Sequence, residues 1–571
     1  MIAILASLAL YIVVCGTNSV QTLEDSAACR CFPGDVCWPS TVEWNIFNHT
    51  IGGKLLTTKP LASVCHDSEY GPFNLAACDH LRSNWFAAET HLGSVSSIMA
   101  AFFTNNSCNL FSPQDAPCTL GGLVSFSVNA SGVEDFRRTI AFVRRHNIRL
   151  VIRNTGHDYN GKSTGAGALA IWTHHMKHKE ILDYKSPSYT GKAMKMGAGI
   201  EVYESYEFAQ KHGLVSVGGD CPTVGVTGGW TQGGGGHGPG VSKFGLGADQ
   251  ALEWEVVTGT GEVLVASRHQ NQDMYWALSG GGGGTYGVVS SLTAKVYPDL
   301  SSSAASLSFS STGISKDLFW NAIHTWQATL ISIIQSGCFA IWEISQDGFS
   351  LVPMNCPGLN RNDTMKLLHP IRTMLDKNMI EYDYSVSEFS NFYDSYKAYN
   401  MRFPKNVSTT QLGSRLIPRD VLIHNNTELT DALRKGVDRG AYVVATAVDA
   451  SLGNNTDYGS VNPNRRQAAF SAIFATVYNQ TDYDVNIALA NEMTRELLPM
   501  LEALTPGGSA YMNECDFQQP DFQDTLYGIN YERLLSIKDK YDPDQIFYAI
   551  TAVGSERWYQ DQRRGGRLCR A

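Results

Sequence analysis

The sequence predicts an α+β protein built from more than one domain, and three observations carry that expectation. The chain has 571 residues, beyond the roughly 250–300 at which one hydrophobic core stops growing. Apolar residues make up 43% of it and charged residues 17%, a globular balance that speaks against disorder. The pattern also changes character near the Ser-rich stretch Leu300–Ser311. Glycine-dense segments with short apolar runs lie before it, and alternating apolar runs such as Ala441–Ala450 lie after it. A net charge of −10 argues against a nucleic-acid or anionic-membrane partner.

Taken in order, Met1–Cys15 is an uncharged apolar run, too short for the roughly 18–20 residues of a membrane span. The small and polar residues Gly16–Ser19 follow. This is the layout of a secretory signal peptide over residues 1–20, although no Lys or Arg precedes the run. A buried N-terminal helix is the other reading. No later stretch is long and apolar enough to span a membrane, so the mature protein is expected to be soluble. Residues 21–116 are Cys-rich and read as irregular. Of the 13 cysteines, Cys29, Cys31, Cys37, Cys65, Cys78, Cys108 and Cys118 crowd this segment and its edge. None has the paired spacing of a zinc site, so no metal is expected. Disulfides in an oxidising compartment are expected instead, with connectivity left open. Sequons start at Asn48, Asn105, Asn129, Asn362, Asn406, Asn425, Asn454 and Asn479, against roughly four or five expected by chance.

In residues 117–300, Val133–Asn147 has apolar residues at helical spacing, acids early and arginines late, as a helix dipole prefers. Ile148–Arg153 reads as a buried strand running into the polar, Gly-rich loop Asn154–Gly167. Ala168–Thr173 and the hairpin Glu253–Ser267 add strands. Residues 301–508 read as a second α+β domain. In the tail, 509–571, a helix is expected to stop before Pro543. There is no internal repeat.

The glycines carry the chemistry. Val217–Gly240 and Ser279–Val289 join the loop after Arg153 as three stretches where backbone could approach a ligand and point N–H groups at it. That suits a large phosphate-bearing cofactor. No stretch ends in the G-K-[ST] of a P-loop, and none opens a helix after a strand as a dinucleotide fingerprint does. A β-structure with many tight turns is the plainer alternative. Taken alone, His157 reads as a hydrogen-bond donor and Cys221 as a disulfide partner.

Several linked motifs change this. Arg153–Gly167 resembles the pyrophosphate loop and flavin-attachment motif of the vanillyl-alcohol oxidase / p-cresol methylhydroxylase superfamily. Gly218–Gly229 resembles the second attachment motif of its berberine bridge enzyme-like branch. Ser279–Val289 and Leu526–Phe547 match the same branch in order, and Cys29–Ser40, Leu412–Pro418 and Ser460–Arg466 look like its secreted fungal members. The resemblance implies a two-part FAD-binding domain of the p-cresol methylhydroxylase type, a substrate domain with an antiparallel sheet covered by helices, and a tail returning to the flavin.

It also implies roles. His157 would bond to the flavin 8α-methyl and Cys221 to its C6, making the FAD bicovalent and raising its potential, so that poorly reducing alcohols could donate hydride. Arg153, Asn154, Thr155 and Gly156, with Asp158, would serve the pyrophosphate; Asn154-Thr155 departs from the family's usual Ser-Gly-Gly. Gly225, Gly228 and Gly229 would line the cofactor. Val224 would sit beside the flavin edge, where a small β-branched residue goes with oxygen reactivity. Tyr527, Asn530 and Tyr531 are the catalytic candidates; a Tyr needs a cationic or hydrogen-bonded neighbour to act as a base near pH 7. Glu343 is a position to test, and His237 reads as structural or flavin-adjacent. The activity implied is an FAD-linked oxidase that takes hydride from an alcohol or amine of a small-molecule secondary metabolite and passes it to O₂, with ring closure open. The alternatives are an oligosaccharide oxidase and a secreted binding or defence protein that keeps the fold without turnover.

Overall fold

The computed structural model describes residues 29–401, 406–453 and 459–571. The signal-peptide reading, Cys15 and the Asn454 sequon therefore lie outside the described residues. The fold is α+β, with three principal sheets and helices between and over them.

The first sheet holds β1 (Leu55–Thr57), β2 (Phe126–Asn129), β3 (Leu150–Arg153) and β4 (Leu169–Trp172) in the order β1-β2-β4-β3. β2, β4 and β3 run parallel, and β1 is antiparallel at the edge. The helix Val133–His146 connects β2 to β3, as a parallel pair requires. Its apolar stripe, Phe136, Ile140 and Val143, is fully buried. Glu134 and Asp135 stand in its first turn and Arg144 and Arg145 in its last, and Asn147 closes it in the left-handed conformation (φ 51°).

The second sheet is antiparallel. It comprises β5 (Lys179–Ser186), β6 (Tyr189–Gly197), β8 (Ala251–Thr258), β9 (Val263–Ser267) and β10 (Gly287–Lys295), in the order β5-β6-β10-β8-β9. A short ribbon pairs β7 (Leu214–Val215) with β11 (Tyr297–Pro298). The third sheet has seven antiparallel strands: β12 (Ser302–Ser310), β13 (Phe339–Ile344), β14 (Gly348–Pro357), β15 (Asp383–Phe389), β16 (Thr410–Pro418), β17 (Tyr442–Ala447) and β18 (Ala468–Val477). Their order is β15-β12-β14-β13-β17-β18-β16. The helices Lys316–Gln335 and Asn426–Asp438 cover one face, burying Trp326, Leu330 and Leu433 against Trp342, Leu351 and Phe470. Each such side chain contributes roughly 1.5–3 kcal/mol by leaving water. The other face of this sheet is left to the cavity described below. A terminal hairpin pairs β19 (Trp558–Asp561) with β20 (Arg567–Arg570).

The Cys-rich segment is not irregular. Ser40 and Glu43 form a reciprocal capping box on the helix Thr41–Thr50. That helix buries Trp44 and Phe47 on the first domain, with Phe47 stacked 4.2 Å from Phe142. Asn74 caps a second helix, Leu75–Asn84. Five disulfides join Cys29–Cys569, Cys31–Cys37, Cys65–Cys78, Cys108–Cys118 and Cys338–Cys356. Cys221 and Cys515 stand outside them. Among the described residues, no helix is long and apolar enough to cross a membrane.

Candidate active site

One cavity of about 640 Å³ is bounded by the glycine stretches, the third sheet and the tail, a size in the usual range for a small-molecule or cofactor site. Its floor begins where β3 ends. Arg153 is fully buried, and its Nη2 donates to the His91 carbonyl at 3.1 Å. Its Nε and Nη1 have no partner. Gly156 turns at φ 88°, and a Cβ there would come 2.8 Å from the Arg153 guanidinium, so the loop passes directly over the charge. Burial pulls that guanidinium down to about 9, with Asp158 opposing.

Asp158 pins the loop: its carboxylate accepts from Asn160 N at 2.9 Å and Ser163 N at 2.7 Å. Asn160 Nδ2 then donates to the Met512 carbonyl at 3.0 Å, tying the loop to the tail. Between these anchors His157 faces the cavity. Burial, then the neighbouring His91 and Arg153, push it down to about 3. It is thus a neutral imidazole with a lone pair at ordinary pH. Its Nε2 lies 2.6 Å from Thr223 Oγ1 and 4.0 Å from Cys221 Sγ. Thr223 Oγ1 is in turn 3.7 Å from that sulfur. A nitrogen nucleophile and a thiol from two distant stretches thus meet at one wall.

Asn154 is wedged against Gly225 and Gly228, where a Cβ would come within 2.9 and 2.7 Å of its side chain. Gly229 has nothing within 4 Å of its would-be Cβ and lines the cavity, and a Cβ on Gly283 would come 3.2 Å from the Gly229 Cα. Val224 also lines the cavity. Asn154, Thr155, Gly156, His157, Asp158, Cys221, Val224, Gly225, Gly228 and Gly229 are therefore gathered around one space, with Arg153 buried directly behind it.

The tail supplies residues other than those expected. Tyr527 Oη donates to the Thr551 carbonyl at 2.8 Å. Asn530 Nδ2 donates to the Ser460 carbonyl at 3.1 Å. Tyr531 Oη pairs with Glu556 at 2.6 Å. None of the three lines the cavity. Burial raises both phenols above their ordinary range, the wrong direction for a base. The segment that does reach the cavity is Tyr511–Glu514. Asn513 Nδ2 donates to the Gly229 and Gly233 carbonyls, both at 3.0 Å, and Gly233 has no room for a side chain beside it. Glu514 Oε1 lies 2.9 Å from His237 Nε2. Glu514 Oε2 and His237 Nδ1 are buried without partners.

The roof is the open face of the third sheet. Ile341 and Glu343 of β13, Tyr442 and Val444 of β17, Thr410 and Leu412 of β16 and Ile473 of β18 look into the cavity. They share a face because side chains alternate with period two. Glu343 opposes Val444 across the β13–β17 pair. From the loop below, Tyr159 presents its ring to the same space.

Comparison with known proteins agrees with this geometry. An FAD binding domain model matches residues 114–267, and a berberine and berberine-like model matches residues 510–554. FAD-linked oxidoreductase patO of Penicillium expansum is 46% identical, over 96% of this chain and 95% of its own. FAD-linked oxidoreductase sor8 of Hypocrea jecorina is 42% identical, over 100% and 98%. The crystal structure of the VAO-type flavoprotein MtVAO615 from Myceliophthora thermophila C1 superposes with a TM-score of 0.90 at 37% identity, covering 95% of this chain and 100% of its own.

The residues present fit FAD. Arg153 carries buried, unpartnered N–H groups behind the loop, Asn154 Oδ1, Thr227 Oγ1 and Gln232 Oε1 are buried without partners at the same cavity, and Gly229 leaves open the space that a side chain would fill.

Proposed function

The chain belongs to the berberine bridge enzyme-like family of FAD-linked oxidoreductases in the vanillyl-alcohol oxidase superfamily, and from that premise we propose that it is an oxidase of a compact, largely apolar secondary metabolite. His157 and Cys221 would hold the cofactor covalently, and the loop Asn154–Asp158 and the glycines 225, 228 and 229 would cradle it. When bound, the flavin would supply a two-electron acceptor whose reduced form passes its electrons to O₂, giving H₂O₂.

The observation that carries the substrate class is the roof. Ile341, Leu412, Val444 and Ile473 with the rings of Tyr442 and Tyr159 form a wall that suits a hydrophobic skeleton better than a polyhydroxylated sugar. Glu514, which lines the same cavity, would take the proton of a substrate hydroxyl or amine on its unpartnered Oε2, with Oε1 hydrogen-bonded to His237 Nε2. Val224, which lines the cavity, would leave room for O₂ beside the bound cofactor. Feeding the purified yellow protein a fungal metabolite extract, with mass spectrometry of products and a peroxide assay, tests the reading. Consumption of an apolar alcohol or amine with stoichiometric peroxide supports it. Turnover confined to oligosaccharides, or none with any substrate, overturns it.

We place the mature protein in the secretory pathway or outside the cell, with N-glycans. The five disulfides support this, as does the exposure of the sequon residues Asn105, Asn362, Asn406 and Asn425.

A further inference from the structure

We infer that the chain carries a second ligand site, separate from the cofactor cavity, for a monoanionic aromatic molecule, an aromatic carboxylate. The site is a cleft of about 430 Å³. Side chains alternate along the segment leading into β3: Leu150 and Ile152 line the large cavity, and Arg149 lines this cleft. The tail lies beside them through a parallel bridge between Leu150 and Phe547. Tyr548, the next residue, borders both spaces.

Arg149 is 4% exposed, and its Nε and Nη1 have no hydrogen-bond partner. Among the described residues, the Tyr548 ring lies 5.5 Å from the guanidinium carbon. Gly165 is shaped for it, since a Cβ there would come 2.4 Å from that carbon. A guanidinium keeps its proton under all ordinary conditions, and holding one out of water is unfavourable unless it is paired. A carboxylate matches its planar fork with two parallel hydrogen bonds.

The walls set the rest of the ligand. Phe103 and Phe517 meet edge-on at 5.1 Å, and Trp558 and Tyr559 line the same cleft. Rings pack against rings best at such angles. Glu556, exposed, is the carboxylate among the lining residues, and its Oε2 accepts from Tyr531 at 2.6 Å. A second negative charge on the ligand would meet it, so one charge is admitted. The cleft makes no use of His157, Cys221 or the third sheet, so it stands whatever the substrate of the large cavity proves to be.

The test is isothermal titration of the full-length, flavin-loaded protein with biphenyl-4-carboxylate and with its neutral amide. The carboxylate should bind at least tenfold more tightly than the amide. Arg149→Gln should abolish that preference. Tyr559→Ala, at a residue 48% exposed whose loss does not threaten the fold, should weaken the carboxylate several-fold with the flavin spectrum unchanged. Equal binding of acid and amide, no binding of the acid, or binding unchanged in Tyr559→Ala overturns the assignment. If Arg149→Gln does not fold, the acid–amide comparison and Tyr559→Ala decide it.

Discussion

The buried His91 makes stability depend on pH in a calculable way. Its Nδ1 is 2.7 Å from Ser97 Oγ and its Nε2 is 2.7 Å from the Trp85 carbonyl, with the ring fully buried. Burial first, opposed by the Trp85 hydrogen bond and aided by Arg153, pushes it from 6.5 down to about 4. Below pH 6.5 the unfolded chain therefore takes a proton that the folded chain refuses until about pH 4. The stability this group contributes is complete above pH 6.5 and is lost as pH falls towards 4. At 1.36 kcal/mol per unit, about 2.5 units correspond to about 3 kcal/mol. His157, pushed down to about 3, adds a loss of the same sign in protein that has not bonded its cofactor. Thermal unfolding by calorimetry between pH 7 and pH 4 reads the effect, with His91→Asn beside the wild type. The variant should start less stable but lose less on acidification. Parallel pH profiles for the two proteins would refute the reasoning.

Four further outcomes are expected. Denatured wild type should stay yellow, and a digest should yield one flavin bridging the His157 and Cys221 peptides; each single Ala variant should keep flavin through the other residue, and release of free FAD by acid from the wild type removes both assignments. Val224→Leu should slow reoxidation by O₂ more than tenfold in stopped-flow, a barrier change above about 1.4 kcal/mol, while anaerobic reduction is nearly unchanged. Gly229→Val should leave the melting temperature of the flavin-free protein within about 2 °C but lower the 450 nm flavin absorbance, because its side chain enters the cavity; Gly238→Ala, whose Cβ would come 2.2 Å from the Gly218 carbonyl oxygen, should instead cost about 1–3 kcal/mol or more of stability. Expression in a eukaryotic secretory host should give a mature N-terminus near residues 17–21 and a mass excess removable by an endoglycosidase, and an intact Met1 with reduced cysteines overturns secretion.

Local features were legible in the sequence. The helix at Val133–His146 and the strand entering the loop after Arg153 follow from apolar spacing and charge order within twenty residues. Taken alone, His157 and Cys221 read as a hydrogen-bond donor and a disulfide partner; the resemblance of their glycine motifs singled them out, and the fold brings the two side chains within 4.0 Å of each other. The Ser40–Glu43 capping box stands in the sequence as S-x-x-E, amid cysteines whose spacing says nothing about helices. What failed was distance. Which tail residue reaches the cavity depends on Asn513 docking on Gly229 and Gly233, some 280 residues away in sequence. Tyr527 and Tyr531 looked chemical, yet their hydroxyls are occupied by the Thr551 carbonyl and Glu556. Glu343 could be suspected but not placed, because its facing depends on the register of β13 against β17, a pairing of strands about a hundred residues apart.

The Cys29–Cys569 bond spans 540 positions, and the three principal sheets and the whole active-site wall lie within it. The folded polypeptide is thus a covalent circle closed at one sulfur pair, with the smaller disulfides nested inside. Ribosomal synthesis delivers Cys29 long before Cys569, so the circle can close only after nearly the entire chain has left the ribosome. A protease that cuts one surface loop then releases no fragment, and the segments carrying His157 and Glu514 stay tethered on both sides of the break. Such a nicked molecule would run as one band without reductant and as two with it.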